Sequence, residues 1–410
     1  MVYATIEKWH HRKRFIIMRY ISAEYILPIH IDPIKNGIIA IDDEGVIQKT
    51  GKKSDFPSVD IEFFNGVIMP GLINCHCHLE LSHMKGLCPT GTQLIPFISN
   101  VVKHRDFDQE TILAKIKEED ENMFNAGVQA VGDICNKTDT ADQKAKSKIR
   151  YYSFIEMYDF LNPANLESIV ENYRNVFRDQ DASQGNKKSF VPHAPYSVSK
   201  KLFEFINEAN PETATISMHN QETLDENLLF ENGTGGFKEF FKGFGVDLSA
   251  FKPIGKTSVF YALANMKPKR RNLFVHNTLC TKEDIKAAHD WSENVYWVTC
   301  PNANLYIENR MPNYKNFIER EAKMCIGTDS IMSNWTLSIW EELKTIKKMQ
   351  SYVPLTELLK WSTLNGAQAL GFQKSLGSLE TGKSPGLINI DLDWQGENTD
   401  ISHSSPQRII

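Results

Sequence analysis

The stretch Gly71-Leu72-Ile73-Asn74-Cys75-His76-Cys77-His78-Leu79-Glu80 decides how this chain reads: an apolar run ends in two histidines separated by one residue. Successive side chains of a strand point to opposite faces, so His76 and His78 share a face and can reach one metal ion. Cys75 and Cys77 alternate away from that face as packing thiols. Alone, such a pair also occurs as a helix cap, a packing residue or a surface group. Three later segments repeat the form: Thr215-Ile216-Ser217-Met218-His219, Leu273-Phe274-Val275-His276 and Met324-Cys325-Ile326-Gly327-Thr328-Asp329. Each reads as a buried strand that ends in a group able to bind metal or move protons.

Working outward, strand-like runs fall near residues 67–74, 128–133, 151–157, 189–193, 214–219, 272–276, 295–299 and 323–328. Between them lie stretches with apolar spacing of three and four, at 109–126, 163–177 and 200–209, which predict helices. Strands alternating with helices imply a parallel sheet, and right-handed crossovers favour closure into a (β/α)8 TIM barrel, an α/β fold. In such a barrel the carboxyl ends of all strands converge on one mouth, where residues distant in sequence meet.

A barrel uses about 250 residues, and the chain has 410, with a hydrophobic share of 41% that suits a large core. The surplus lies at the ends. Gly37-Ile38-Ile39-Ala40-Ile41-Asp42-Asp43-Glu44-Gly45-Val46-Ile47 is an alternating run around an acidic glycine turn, and Gly386-Leu387-Ile388-Asn389-Ile390-Asp391-Leu392 is a second run near the C-terminus. The expected organisation is a small β-sandwich domain from residues 18–66 and 377–410, a barrel from 67–376, and a disordered extension at 1–17 that the fold does not need.

The 46 basic and 51 acidic residues are mixed along the chain and leave a net charge of −5, which argues against a nucleic-acid surface. The basic cluster His10-His11-Arg12-Lys13-Arg14 reads as a solvated end rather than a binding arm. No apolar run is long enough to span a membrane, and the N-terminal segment lacks the features of a secretory signal. Seven cysteines, odd in number and without zinc-knuckle spacing, predict free buried thiols in a reducing compartment, the cytoplasm.

Six motifs then carry a resemblance. Pro70-Gly71-Leu72-Ile73-Asn74-Cys75-His76-Cys77-His78-Leu79, His193-Ala194-Pro195-Tyr196-Ser197, His219-Asn220-Gln221-Glu222-Thr223, His276-Asn277-Thr278, Cys300-Pro301-Asn302-Ala303-Asn304-Leu305 and Gly327-Thr328-Asp329-Ser330 stand in the order of the amidohydrolase superfamily. From about residue 20 onward the chain resembles the branch of cytosine deaminase, adenosylhomocysteine deaminase and chlorohydrolases, and within it aminodeoxyfutalosine deaminase-like proteins. The resemblance implies that His76, His78, His219 and Asp329 bind one divalent metal ion per chain, Zn2+ ahead of Fe2+, with a position left for water. It also implies that Asp329 takes the proton from that water, that His276 orients it or polarises the group attacked, and that Glu222 protonates a ring nitrogen and the departing amine. Dinuclear relatives carry a bridging carboxylated lysine or a glutamate where this chain has His193, so a single metal and a substrate-contacting His193 are expected.

The activity implied is that of a metal-dependent aminohydrolase that releases ammonia from a purine- or pyrimidine-like ring or a nucleoside derivative. Hydrolysis of another C–N bond or of a halide on an s-triazine-like ring is the nearer alternative, and a non-catalytic metal-binding protein of the same fold the farther one. A small-molecule substrate and a homo-oligomer are the implied partners. The adenosylhomocysteine deaminase pattern has an acid ahead of the helix after strand one, whereas the segment Gln93-Leu94-Ile95-Pro96-Phe97-Ile98-Ser99-Asn100-Val101-Val102-Lys103-His104-Arg105 has none. Arg105 has two readings, a bidentate donor to a substrate carboxylate and a solvated helix arginine, of which the second is preferred. Trp335 is available for stacking on a planar ring or for packing. Glu80 suits the pocket rim or a helix start, and His83, His104 and His289 lie off the site. The glycines of 232–236 followed by Phe237, Phe240, Phe241 and Phe244 suit either an apolar lid or a packed excursion.

Overall fold

The computed structural model describes residues 18–249 and 251–410. The expected extension at 1–17, with its basic cluster, lies outside them. The strands in chain order are β1 (Arg19–Ile26), β2 (Ile34–Lys35), β3 (Gly37–Ile41), β4 (Ile47–Lys52), β5 (Glu62–Pro70), β6 (Leu72–Cys77), β7 (Val128–Cys135) and β8 (Arg150–Met157). They continue with β9 (Lys187–Pro192), β10 (Thr215–Asn220), β11 (Arg271–His276), β12 (Val295–Thr299), β13 (Met324–Ile326), β14 (Leu387–Ile390) and β15 (Pro406–Arg408).

The eight expected barrel strands are β6 to β13. They form two parallel four-stranded sheets, β6 to β9 and β10 to β13, each strand paired with the next in sequence. Every one of these strands is mostly buried, as near-continuous apolar runs covered on both faces should be. The two halves meet at two seams. At one, His219 N donates to the His193 carbonyl at 2.9 Å; at the other, Thr328 N and Asp329 N both donate to the His76 carbonyl at 3.0 Å, and Cys77 and Asp329 form a parallel bridge. Asn74, inside the first histidine motif, clasps the second seam: its Nδ2 donates to Thr328 Oγ1 at 2.8 Å and its Oδ1 accepts from Thr328 N at 3.2 Å.

One boundary differs from the sequence reading. The run expected as the first barrel strand at 67–74 is divided at Gly71, because Val67–Ile68–Met69–Pro70 pair with β14 in the small sheet and only β6 enters the barrel. Apolar residues fill both sides of the division, so hydropathy carries no mark of it; the mark is Pro70-Gly71, with Gly71 N turned towards the Pro385 carbonyl at 3.2 Å.

The small β-domain draws on both chain ends. It is one hydrogen-bonded path, β15-β14-β5-β1-β3-β4, with β2 added on β1. The acidic glycine turn is held by Asp42 Oδ1, which accepts from Glu44 N at 3.0 Å and Val46 N at 2.9 Å while Gly45 takes φ +75°. Ile21, Ile26, Ile39, Ile41, Ile47 and Ile68 form its own core, each burial contributing about 1.5–3 kcal/mol. All seven cysteines are buried and free. Among the described residues no helix is long and apolar enough to cross a membrane.

Candidate active site

The barrel mouth gathers the polar strand ends. His76 and His78 leave β6 on one face, as the period of two requires, and His219 leaves β10 towards them. The three Nε2 atoms converge: His78 to His76 is 3.2 Å and His78 to His219 is 3.3 Å. Asp329 Oδ1 completes the group, 3.3 Å from His78 Nε2 and 3.6 Å from His76 Nε2. Donors about 2.0–2.2 Å from one divalent ion stand about 3–3.6 Å from their neighbours, so these residues fit a small divalent cation.

Their surroundings fix the donor atoms. His219 Nδ1 donates to the His193 carbonyl at 2.9 Å, which leaves Nε2 as the lone pair in the mouth. Asp329 Oδ2 accepts from Ser333 Oγ at 2.6 Å, which leaves Oδ1 for the cation. Burial alone would raise the Asp329 pKa, but the hydrogen bond from His76 and the charges of His78 and His276 outweigh it and hold the carboxyl well below its usual range. Burial lowers His76 and His78 to about 4, so both stand as neutral ligands. At His219 burial opposes a charge, yet the carboxylates of Glu156 and Asp329 win and bring its pKa to about 9. This spot attracts positive charge, whether a proton or a metal ion.

Backbone strain marks the same place. Gln221, His276, Asn277 and Asp329 have φ of 47°, 72°, 57° and 59°, each at or just past the end of its strand. Left-handed backbone disfavours side chains, and such conformations persist only where surrounding contacts hold them. Here they turn the strand ends into the mouth. Gly327 plays another part: a Cβ there would meet His76 Cβ at 2.8 Å and Cys300 Sγ at 3.0 Å. We expect Gly327→Ala to force β13 away from β6 at a cost of about 1–3 kcal/mol, read as a lower Tm and a lower metal-to-protein ratio on purification.

His276 and Glu222 stand beside the donor set. His276 Nδ1 donates to Asn304 Oδ1 at 2.8 Å, and its Nε2 lies 3.7 Å from Glu222 Oε2. Glu222 sits on the loop after β10, whose backbone Glu226 holds by accepting from Gln221 N at 3.0 Å and Glu222 N at 3.2 Å. Burial pushes the Glu222 carboxyl well above its ordinary range against the opposing charge of His219, so it stands as a neutral acid. His193 Nδ1 pairs with Ser197 Oγ at 2.6 Å, and the ring lines a cavity of about 180 Å³ that also exposes Glu222, His276 and Asp329.

Two expectations are corrected. Arg105 is not a solvated helix arginine: it caps the helix Leu94–His104, pairs with the buried carboxylate of Glu80 and lines the cavity. Glu80, in the short helical turn Leu79–Met84, also accepts from Asn136 N at 2.9 Å and Lys137 N at 3.0 Å. Periodicity could not show this, because Glu80 and Arg105 meet only through the fold. Trp335 is not among the residues that line the cavity; it is 55% exposed and packs on Tyr306 with ring centres 5.4 Å apart. After Asp329 the chain turns through Ile331–Ser333, and Asn334 Oδ1 accepts from Trp335 N at 2.7 Å, directing the indole outward.

The 232–244 excursion is a packed roof. The helix Phe237–Gly243 stacks Phe237 on Tyr196 at 4.1 Å, and Phe240, Phe241 and Phe244 line the cavity. The sequence reading overlooked Glu156, the penultimate residue of β8, whose Oε1 is 3.2 Å from His219 Nδ1. Its signal was the one used elsewhere, a charge closing an apolar strand. Asn304 and Ser333, which hold His276 and Asp329, were likewise unassigned; neither carries a signal beyond its motif.

Residues 67–410 match the sequence profile of the amidohydrolase family. The chain belongs to the amidohydrolase family. This amidohydrolase is 27% identical over 340 residues to an adenosine deaminase of Helicobacter pylori, covering 81% of each chain. It is 27% identical over 350 residues to an aminodeoxyfutalosine deaminase of Nitratiruptor sp., covering 82% of each. Its fold matches the crystal structure of Helicobacter pylori aminofutalosine deaminase in complex with methylthio-coformycin at a TM-score of 0.76 and 22% identity, over 90% of this chain and 91% of that one.

Proposed function

We propose that this amidohydrolase is a metal-dependent deaminase that replaces the amino group of an adenine-like nucleoside ring by oxygen and releases ammonia. The observation that carries the reading is Glu222, a neutral buried acid 3.7 Å from His276 Nε2 at the rim of the donor set. The deaminases among its relatives support it.

His76, His78, His219 and Asp329 hold the metal. When bound, a divalent cation supplies the acidity that makes hydroxide available at neutral pH. Asp329, held anionic, accepts a proton of the attacking water. Glu222 gives its proton to the ring nitrogen beside the carbon under attack, which turns that carbon into an electrophile. The Glu222 carboxylate then takes over the water proton held by Asp329 and passes it to the amino nitrogen; C–N cleavage releases ammonia, and the hydroxyl proton of the adduct returns to Glu222 as the ring carbonyl forms. His276, with Nδ1 committed to Asn304, directs Nε2 at the incoming oxygen. The apolar roof of Phe240 and Phe241 limits water to what the reaction consumes.

Three imidazoles and one carboxylate suit zinc first and ferrous iron second. One ion is proposed rather than two. His276 lies close enough to His76, His219 and Asp329 to share their group, and Glu156, His193 and His219 form another, but His219 Nδ1 spends its proton on a backbone carbonyl and offers no lone pair there. Seven free buried thiols suit a reducing compartment, and the cytoplasm is the proposed location.

An ammonia-release screen of zinc-loaded protein over nucleobases, nucleosides and halogenated s-triazines tests the assignment. Ammonia should appear in step with loss of an adenine-type nucleoside. Substrate loss with halide or a ring-opened product instead, or no turnover at all, overturns it.

A further inference from the structure

Glu156 is a buried carboxylate that the reaction above does not use. It lies at the end of β8, is 2% exposed, and lines the cavity beside Asn136 and His193. Asn136 Nδ2 donates to Glu156 Oε2 at 3.1 Å and to the Glu156 carbonyl at 3.0 Å, which pins the carboxylate in one orientation. Among the described residues its other oxygen, Oε1, has His219 Nδ1 as its one neighbouring donor, and that contact is poorly aligned for a hydrogen bond. His219 Nδ1 is 3.2 Å away, but that nitrogen carries a single proton and gives it to the His193 carbonyl at 2.9 Å. A buried charged oxygen without a donor is costly, and native structures rarely keep one without use.

The cavity wall says what it is for. Only three acids line the cavity among the described residues: Glu222 and Asp329 at the reacting end, and Glu156. The helix Leu94–His104 contributes Leu94, Phe97, Ile98 and Val101, and the roof contributes phenylalanines. Outside the donor set and its neighbours Glu222 and His276, the charged and amide groups of the lining are Arg105, Asn136 and Glu156, with His193 beside them. A hydroxylated substituent of a substrate whose ring points at Glu222 and His276 has in Glu156 an anionic acceptor on the cavity wall.

We propose that Glu156 Oε1 accepts a hydrogen bond from a sugar hydroxyl of the substrate and so selects ribonucleosides over deoxygenated ones. This rests on the nucleoside deaminase reading of the same site. The other wall offers no substitute, since segment 93–105 contains no acid. Asn136 acts as a positioning residue, and Glu156 is the specificity-determining one.

The test uses zinc-loaded wild type, Glu156→Gln and Glu156→Ala with adenosine and its 2′-, 3′- and 5′-deoxy analogues. Ammonia release and equilibrium binding by calorimetry are measured separately. Wild type should prefer adenosine to at least one analogue by roughly 10- to 100-fold, chiefly in KM. In Glu156→Ala that preference should fall to within about twofold with metal content unchanged, and the Gln variant, which keeps an acceptor oxygen, should retain part of it. Should the Ala variant fail to fold, the Gln variant with its partial loss of the same preference decides. An equal loss on all four substrates, an unchanged preference, or loss of metal overturns the proposal, the last placing Glu156 behind His219 alone. If wild type releases no ammonia, the deaminase reading falls by itself and calorimetry still decides Glu156. Binding that favours adenosine in wild type and not in Glu156→Ala upholds it, and absence of nucleoside binding overturns it.

Discussion

Glu222→Gln is expected to keep its metal and lose kcat for ammonia release by about 10²- to 10⁴-fold. Glutamine has nearly the same shape, and the loop that carries it is held through backbone amides by Glu226 rather than by the Glu222 side chain. What disappears is an acidic proton. In the native chain burial raises the pKa of that carboxyl well above its ordinary range, which favours the acid form that donates to a ring nitrogen and later to an amine; an amide can do neither. The substitution removes an interaction made in the transition state, so kcat and kcat/KM should fall together while KM changes little. The readouts are steady-state ammonia release and metal analysis of the same preparation. Turnover at the wild-type rate would remove the deaminase mechanism.

Removing the metal should have the other large effect. A chelator is expected to abolish turnover and to lower Tm by several degrees, both reversed by adding zinc. Binding at free metal about 1,000-fold above Kd stabilises the folded chain by roughly 4 kcal/mol. At the mouth His78 Nε2 stands 3.2–3.3 Å from His76 Nε2, His219 Nε2 and Asp329 Oδ1. Without a cation, His219 must take a proton to offset Glu156 and Asp329. Asp329→Asn should behave in the same direction, since it removes the one anionic ligand and leaves three neutral ones. The reading requires a zinc-to-chain ratio close to one after loading; a ratio near two, or a Tm indifferent to chelation, would contradict the single site.

Much of this was legible from local pattern. An apolar strand that ends in a histidine or aspartate is a contradiction in a single element, because a buried strand end does not want an ionisable group. Repeated at His76, His219, His276 and Asp329, the contradiction points to a shared cation. The acidic turn at Asp42 to Gly45 and the strand alternation of the two ends were equally readable, since turn chemistry and a period of two act over a few residues. Arg105 and Trp335 were not. Both sit in segments whose local pattern suits surface or site equally, and the partner that decides, Glu80 or Tyr306, is 25 residues away in one case and lies on the helix Pro301–Glu308 in the other.

By itself the sequence determined the alternation of strands and helices, the set of polar strand ends and the residue types able to bind a divalent ion, because these follow from periodicity and donor chemistry within short windows. Only the tertiary structure decided that the run through Pro70 and Gly71 serves two sheets, that Arg105 pairs with the buried Glu80 and Trp335 is turned away, and that Glu156 is pinned by Asn136 with one oxygen left over. Those facts depend on which side chains are brought together across the barrel, and a contact between distant residues leaves no period or spacing in the chain to be read.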